Sequence, residues 1–257
     1  MGQTKPNINN RKPSVVIRET EYKGDLPYFY PVEEFPELDV LIDNWEGIRD
    51  EVLRAEQEQG LLKGHKTYNT PPISDNQSWS NYYLDNFMWR THDNRKKFPF
   101  TASVVDKIPN CTLSAISILS PGGFVKPHYV DTDGIVRCHL GLVIPDDYPV
   151  CGIRVGGEER GWKEGGLVLF TEAHLHDVWN NSSQRRYILI VDIIPSFMDT
   201  TKLSLSSKVL GALSYIFLER RLGVLKKFPE WAVRPLYICF AWLWRFYLPV
   251  QRKLRFL

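Results

Sequence analysis

The chain has 257 residues, 43% hydrophobic and 24% charged, with 8 Trp and 12 Tyr. These are the proportions of an ordinary globular protein, and they exclude a collagen-like, disordered or disulfide-scaffold chain. Formal net charge is only +2, and no nucleic-acid partner is expected, but residues 201–257 carry 11 Lys/Arg against Glu219 and Glu230, so that end stands at +9 and the first 200 residues at −7.

A basic end on an acidic body suggests a negatively charged partner for that end. The four cysteines (111, 138, 151, 239) form no CxxC pair, and Cys111 and Cys138 sit in apolar runs. They read as reduced core residues, which gives a cytoplasmic expectation. The start, MGQTKPNINNRKPS, has no apolar h-region and no Ser or Thr at position 6, so neither a signal peptide nor a myristoylation site is expected, and the sequons at Asn76, Asn110 and Asn181 carry little weight.

In chain order, residues 1–37 are rich in Pro, Asn and charge and read as an arm packed on a body, with an aromatic patch YFYPVEEFP. Leu41, Trp45, Ile48 and Val52 draw one apolar helix stripe, with Gly60 as a stop. Residues 61–100 read as irregular, with clustered aromatics (Trp79, Tyr82, Tyr83, Phe87, Trp89), and TASVVDKIPN reads as a short helix before a turn. From 111 to 195 the pattern changes to six short strands, CTLSAISIL, IVRCHLGLVI, CGIRVG, EGGLVLF, HDVWN and RRYILIVDII, separated by Pro/Gly/Asp/Asn turns. Such spacing predicts a sandwich or barrel. The body is taken as 38–200.

The tail, 201–257, holds apolar runs of 10 and 16 residues, VLGALSYIFL and PLYICFAWLWRFYLPV, flanked by ERR, KK and QRK. Neither reaches the roughly 20 apolar residues of a membrane span. Tryptophan and arginine mixed into an apolar helix suit an interfacial helix pair, peripheral on an anionic membrane; the alternative is a helical hairpin packed on the body.

Four of the six histidines (His128, His139, His174, His176) fall in the strand region. Strand alternation puts Ile135, Arg137, His139 and Gly141 on one face of IVRCHLGLVI, with Val136, Cys138, Leu140 and Leu142 as an apolar set on the other. Gly141 reads as a gap where a side chain would be. Arg186, Ile188, Ile190 and Asp192 share a face by the same rule, as do His174 and His176. Histidines from separate strands are a natural anchor for Fe(II), Zn or Cu, and an inward strand arginine is a fork for a carboxylate. A lone strand histidine is more often a hydrogen-bonded core residue, Arg137 reads equally as a solvated barrel residue, and Ser117 as core or turn. His128-Tyr129-Val130 also lacks the carboxylate two residues on that a usual non-haem iron site has, and Asp131 falls one residue late.

SILSPGGFVKPHYVDTDGIVRCHLGLVIP followed by GWKEGGLVLFTEAHLHDVWNNSSQRRYILIVDIIP resembles the aspartyl/asparaginyl β-hydroxylase family, Fe(II)- and 2-oxoglutarate-dependent dioxygenases on a double-stranded β-helix. The likeness covers about 110–195 well and 39–60 more loosely. It implies a mainly β, jelly-roll or cupin-like core with flanking helices. The family's best-known members bind iron through two histidines with no carboxylate, so the resemblance implies His128 and His176 as metal ligands and catalytic centre. It implies Arg186 as the grip on the distal carboxylate of 2-oxoglutarate, Ser117 as a hydroxyl on the same cosubstrate, and Arg137 and His139 as the strand lining that pocket. His174 then lies in or behind the pocket, Arg185 points away, and Tyr129 and Trp179 are packing residues. A tryptophan that contacts the cosubstrate in animal members aligns near Asp85, which is left out of the site.

The implied reaction is hydroxylation of an unactivated C–H with O2, ascorbate being a supporting reductant. The β-carbon of Asp or Asn in a polypeptide is the first expectation. A lipid acyl chain, as in the bacterial lipid A 2-hydroxylases of the same family, is the alternative that the basic tail favours, and a free amino acid or small peptide is a third. From another class, a non-catalytic β-helix binding module remains.

Overall fold

The computed structural model describes residues 10–16, 21–59, 78–130 and 132–254. Among the described residues eleven strands form two antiparallel sheets. The larger contains β1 (Phe29–Tyr30), β2 (Trp79–Asn86), β3 (Trp89–Arg90), β4 (Cys111–Leu119), β6 (Val136–Val143), β9 (Leu167–Phe170) and β11 (Arg186–Ile193), in the order β1-β9-β6-β11-β4-β2-β3. The smaller contains β5 (Gly123–His128), β7 (Cys151–Val155), β8 (Glu158–Arg160) and β10 (His176–Asn180), in the order β5-β10-β7-β8. From β4 onward the chain alternates between the sheets, large to small and back, which winds the two into a double-stranded β-helix.

The alternation read from sequence holds in β6. Val136, Cys138, Leu140 and Leu142 join one core cluster with Ile116, Ile118, Leu189 and Val191 from the neighbouring strands. That face is covered by α1 (Asp39–Ile42), α2 (Trp45–Gln59) and α4 (Pro99–Val105), whose Leu41, Ile48, Val52 and Val104 enter the same cluster. The helix stripe is therefore real, but the helix breaks at Asp43–Asn44, where Asn44 Nδ2 donates to the Val40 carbonyl at 2.8 Å. Gly60, expected as its stop, lies outside the described residues. A short α3 (His92–Lys97) precedes α4.

Five strands stand beyond the six expected, and the physical cause is plain for β2 and β5. β2, in a stretch expected to be irregular, pairs with β4 from Trp79↔Leu119 to Asp85↔Ser114. Its alternation is masked because Asn81 and Asp85 are buried polar residues. β5 contains Pro127, which demotes a run as a strand, but it pairs only with β10 at the sheet edge, where a missing N–H costs nothing. β8 is a three-residue exposed edge.

Gly141 is a correction. A Cβ there would lie 2.3 Å from the Lys163 carbonyl oxygen, so the missing side chain admits the backbone of the loop before β9 and leaves no space for a ligand. Gly141 N donates to Gly166 O at 3.1 Å and Gly165 N to Gly141 O at 2.9 Å. Gly141→Ala is expected to lower the unfolding free energy by about 1–3 kcal/mol through overpacking; a urea midpoint equal to wild type would show that the loop moves aside freely.

The C-terminal segment forms a hairpin of α5 (Lys202–Arg221), a 3-10 turn (Gly223–Lys227) and α6 (Glu230–Lys253). Gly211 permits close approach, since a Cβ there would be 2.7 Å from Ala241 N. Leu205, Val209, Leu210 and Leu248 pack with Leu113, Ala115, Ile188 and Ile190 of the large sheet, on the face opposite α2. The fully buried Gln251 clamps the edge strand β3, donating from Nε2 to Arg90 O at 2.7 Å and accepting from Arg90 N at 3.0 Å.

Candidate active site

The register of the small sheet puts His176 of β10 directly opposite His128 of β5. Their ring centroids are 4.1 Å apart, a spacing at which two imidazoles reach one ion. Each ring has its Nδ1 against a backbone carbonyl two residues earlier: His128 on Lys126 O at 2.8 Å, His176 on His174 O at 2.9 Å. A carbonyl only accepts, so Nδ1 carries the proton and Nε2 carries the lone pair. Burial, and then the neighbouring His128, hold the His176 imidazole well below its usual pKa, which keeps it in the neutral, ligating form. His174 itself is turned out of the cavity, with Nε2 at 2.8 Å from Leu26 O and its ring edge-on to Tyr22 and Tyr28. It serves the site through its carbonyl.

Across from the histidines, the large sheet supplies the other wall. Ser117, Arg137, His139 and Arg186 line the same cavity as His128 and His176, together with Trp79, Phe170, Val125, Val178, Ile188 and Ile190. All six residues singled out in the sequence thus converge.

Arg186 is 1% exposed, and its Nε and Nη1 have no hydrogen-bond partner among the described residues. Nη2 lies 3.5 Å from Ser117 Oγ, and the guanidinium sits 4.9 Å from the Trp162 ring centroid. Burial pushes its pKa down to about 10, so it remains a cation at neutral pH. A buried cation without a carboxylate is costly, and its unused donors call for an anion. The preceding turn fixes its direction. Buried Asn180 donates to the carbonyls of Leu119, Ser120 and Gln184 and accepts from Ser182 Oγ, shaping the path into β11. Arg185 faces the other way and pairs with Glu56 at 2.7 Å.

Arg137 is differently committed. Its Nε and Nη2 donate to the two oxygens of Asp192, both at 2.7 Å, and Nη1 pairs with Glu172. It walls the cavity with its fork already occupied. His139 is buried among Arg137, Arg186 and His176; burial first, then the charges of the two arginines, hold its pKa well below the usual value, and its Nδ1 has no partner among the described residues.

Sequence reasoning missed Trp79, Trp162 and Glu172. Trp79 Nε1 donates to Ser117 Oγ at 2.9 Å and lines the cavity. Asp85, near which the resemblance placed a cosubstrate-contacting tryptophan, lies in an ion-pair cluster with Arg90, Arg95 and Arg252. The signal for Trp79 was its place in a strand paired with β4 opposite the Ser117 end, which a region taken as irregular concealed. Asp131 lies outside the described residues, and among those described no group of three His, Cys, Asp or Glu residues converges as a metal cluster.

A model of the family described as aspartyl/asparaginyl beta-hydroxylase matches residues 42–195. The ornithine lipid ester-linked acyl 2-hydroxylase of Rhizobium tropici is 30% identical over 170 residues, covering 65% of this chain and 60% of that protein. The human aspartyl/asparaginyl beta-hydroxylase is 34% identical over 155 residues, 58% of this chain and 20% of its own length. The human aspartate beta-hydroxylase domain-containing protein 2 is 31% identical over 199 residues, 72% of this chain and 52% of its own length. The chain therefore spans at most 60% of the length of these three relatives. The family match runs from the end of α1 through β11 and encloses every residue that lines the cavity, so the chain belongs to the aspartyl/asparaginyl β-hydroxylase family.

Proposed function

We propose that this chain is a hydroxylase that uses Fe(II), 2-oxoglutarate and O2. The observation that carries the reading is the buried Arg186 fork with unused donors, in the same cavity as a pair of facing imidazoles. The residues fit both groups. His128 and His176 would hold the iron through Nε2, leaving other positions open as a two-ligand site does. Arg186 would hold the distal carboxylate of 2-oxoglutarate, and Ser117, whose Oγ already accepts from Trp79, has its own O–H to give to the same carboxylate. When bound, the iron supplies the redox chemistry that couples O2 and decarboxylation of 2-oxoglutarate to hydroxylation of a C–H bond. The chain's own work is orientation and exclusion: Phe170, Val125, Val178 and Ile188 form dry walls, and neutral His139 adds a ring beside the cosubstrate without a competing charge.

The names of the relatives share a chemical feature. The β-carbon of an aspartyl residue and the 2-carbon of an ester-linked acyl chain both lie next to a carboxyl-type carbon. A C–H in that position is the substrate class proposed here. For Asp or Asn in a polypeptide the support is the human relative; for a membrane-lipid acyl chain it is the Rhizobium relative and the exposed apolar face of α6 described below.

The test is succinate formation from 2-oxoglutarate under air, with Fe(II) and ascorbate. Iron-dependent turnover lost in His176→Ala, together with loss of Fe(II) binding by that variant, is the expected result. Absence of both Fe(II) and 2-oxoglutarate binding in wild type would overturn it and leave a binding module.

A further inference from the structure

α6 has two apolar faces, and among the described residues only one of them is packed. Val233, Leu236, Tyr237 and Phe240 pack on α5, and Leu248 packs on the body. On the opposite side Trp231, Ile238, Trp242, Leu243, Phe246 and Val250 stand exposed, Trp231 at 77% and Phe246 at 70%. Trp231, Pro235, Ile238, Trp242 and Phe246 follow one another at steps of 4, 3, 4 and 4, so they form one continuous stripe along the helix. The 3-10 turn at its head and the residue before it extend the surface with exposed Val224 and Leu222. An apolar strip of this size, rich in tryptophan, marks an interaction site.

We propose that this outward face of α6 docks on an anionic lipid membrane, with the helix lying in the plane of the interface. Charge selects that occupant. Exposed Arg234 and Arg245 lie along one flank of the stripe, and Lys226 and Lys227 stand at its head. The only acidic residue of α6 is Glu230, in its first turn. Basic residues beside Trp and Phe suit anionic headgroups over an acyl boundary. Spanning is excluded for this helix: among the described residues no helix is long and apolar enough to cross a membrane, and Arg234, Pro235, Arg245 and Pro249 interrupt this one. The parts of the sequence outside the described residues, chiefly 1–9 and 60–77, are mostly polar and offer no apolar strip to cover the face.

The surface is joined to the cavity. Ile188 and Ile190 line the cavity and share one packed cluster with Leu205, Val209 and Leu210 of α5 and Leu248 of α6. A docked hairpin therefore holds the cavity at a fixed distance from the lipid surface. The proposal stands apart from the reaction assigned to the cavity, and it fails or survives separately.

The experiment is co-sedimentation of the full chain with vesicles of phosphatidylcholine alone and of phosphatidylcholine with phosphatidylglycerol. Binding to the anionic vesicles, weakened by added salt, is expected. The double variant Trp242→Ala/Phe246→Ala, and separately Arg234→Glu/Arg245→Glu, should each reduce the partition coefficient about tenfold or more. Both pairs are exposed and lie away from the cavity, so iron-dependent succinate formation should be unchanged, which keeps failure of the surface distinct from failure of the site. Tryptophan emission should shift to the blue on binding and be quenched by brominated acyl chains. No binding to anionic vesicles, or binding untouched by both double variants, would overturn the proposal, as would a solution dimer that buries the stripe and is dissolved by Trp242→Ala/Phe246→Ala.

Discussion

Replacing Arg186 with alanine should raise the 2-oxoglutarate concentration needed for half-maximal succinate formation about a hundredfold or more, while leaving the fold intact. Losing one partner of a buried, hydrogen-bonded charge pair costs about 2–5 kcal/mol, and each 1.4 kcal/mol is about tenfold in affinity. The effect on stability should run the other way. Without cosubstrate, the Arg186 cation is buried with no partner for Nε and Nη1 among the described residues, and such a group destabilises the folded state. Arg186→Met, which keeps the volume, should therefore melt no lower than wild type in the absence of 2-oxoglutarate. Added 2-oxoglutarate with Fe(II) should raise the wild-type midpoint and leave the methionine variant's unmoved. Arg186→Lys keeps the charge but loses the planar fork and should fall between. An unchanged requirement for 2-oxoglutarate in Arg186→Ala would remove Arg186 from the site.

What the sequence made legible was whatever strand periodicity controls. The inward set Arg137 and His139 and the outward set Val136, Cys138, Leu140 and Leu142 follow from a side-chain period of two. Arg186 follows from the same rule on β11, the strand hydrogen-bonded to β6. What stayed hidden was decided between segments remote in sequence. Trp79 reaches Ser117 because β2 pairs with β4 across 38 residues. Glu172 precedes β10 in a turn and meets Arg137 only once β9 lies beside β6. Gly141 looked like an opening because a sequence shows the missing side chain and not the Lys163 carbonyl that takes its place. The apolar runs of the tail were plain, but which side of α6 packs inward depends on α5 and on the clamp of Gln251 on β3.

Arg137 and Arg186 enter one cavity, and strand alternation alone does not separate them; their partners do. Asp192 is fully buried and Glu172 is 1% exposed, and Arg137 is the cation paired with both. Arg137→Met would leave two carboxylates facing each other without it. Breaking a buried pair by removing one partner costs about 3–5 kcal/mol, so this variant should lose that much unfolding free energy by urea titration, enough to threaten folding in a protein of ordinary stability. Asp192→Asn leaves Arg137 paired one to one with Glu172 and should cost less. In Arg137→Met/Asp192→Asn the uncompensated charge falls to one, so the double variant should be more stable than the two single losses added together, a coupling that a mutant cycle reads directly. The two arginines thus make opposite predictions: Arg186→Met spares the fold and loses the cosubstrate, whereas Arg137→Met loses the fold first. If Arg137→Met melted like wild type and raised only the 2-oxoglutarate requirement, the Asp192–Arg137–Glu172 contacts would give way when the cosubstrate enters, and Arg137 would belong with Arg186 as a carboxylate fork.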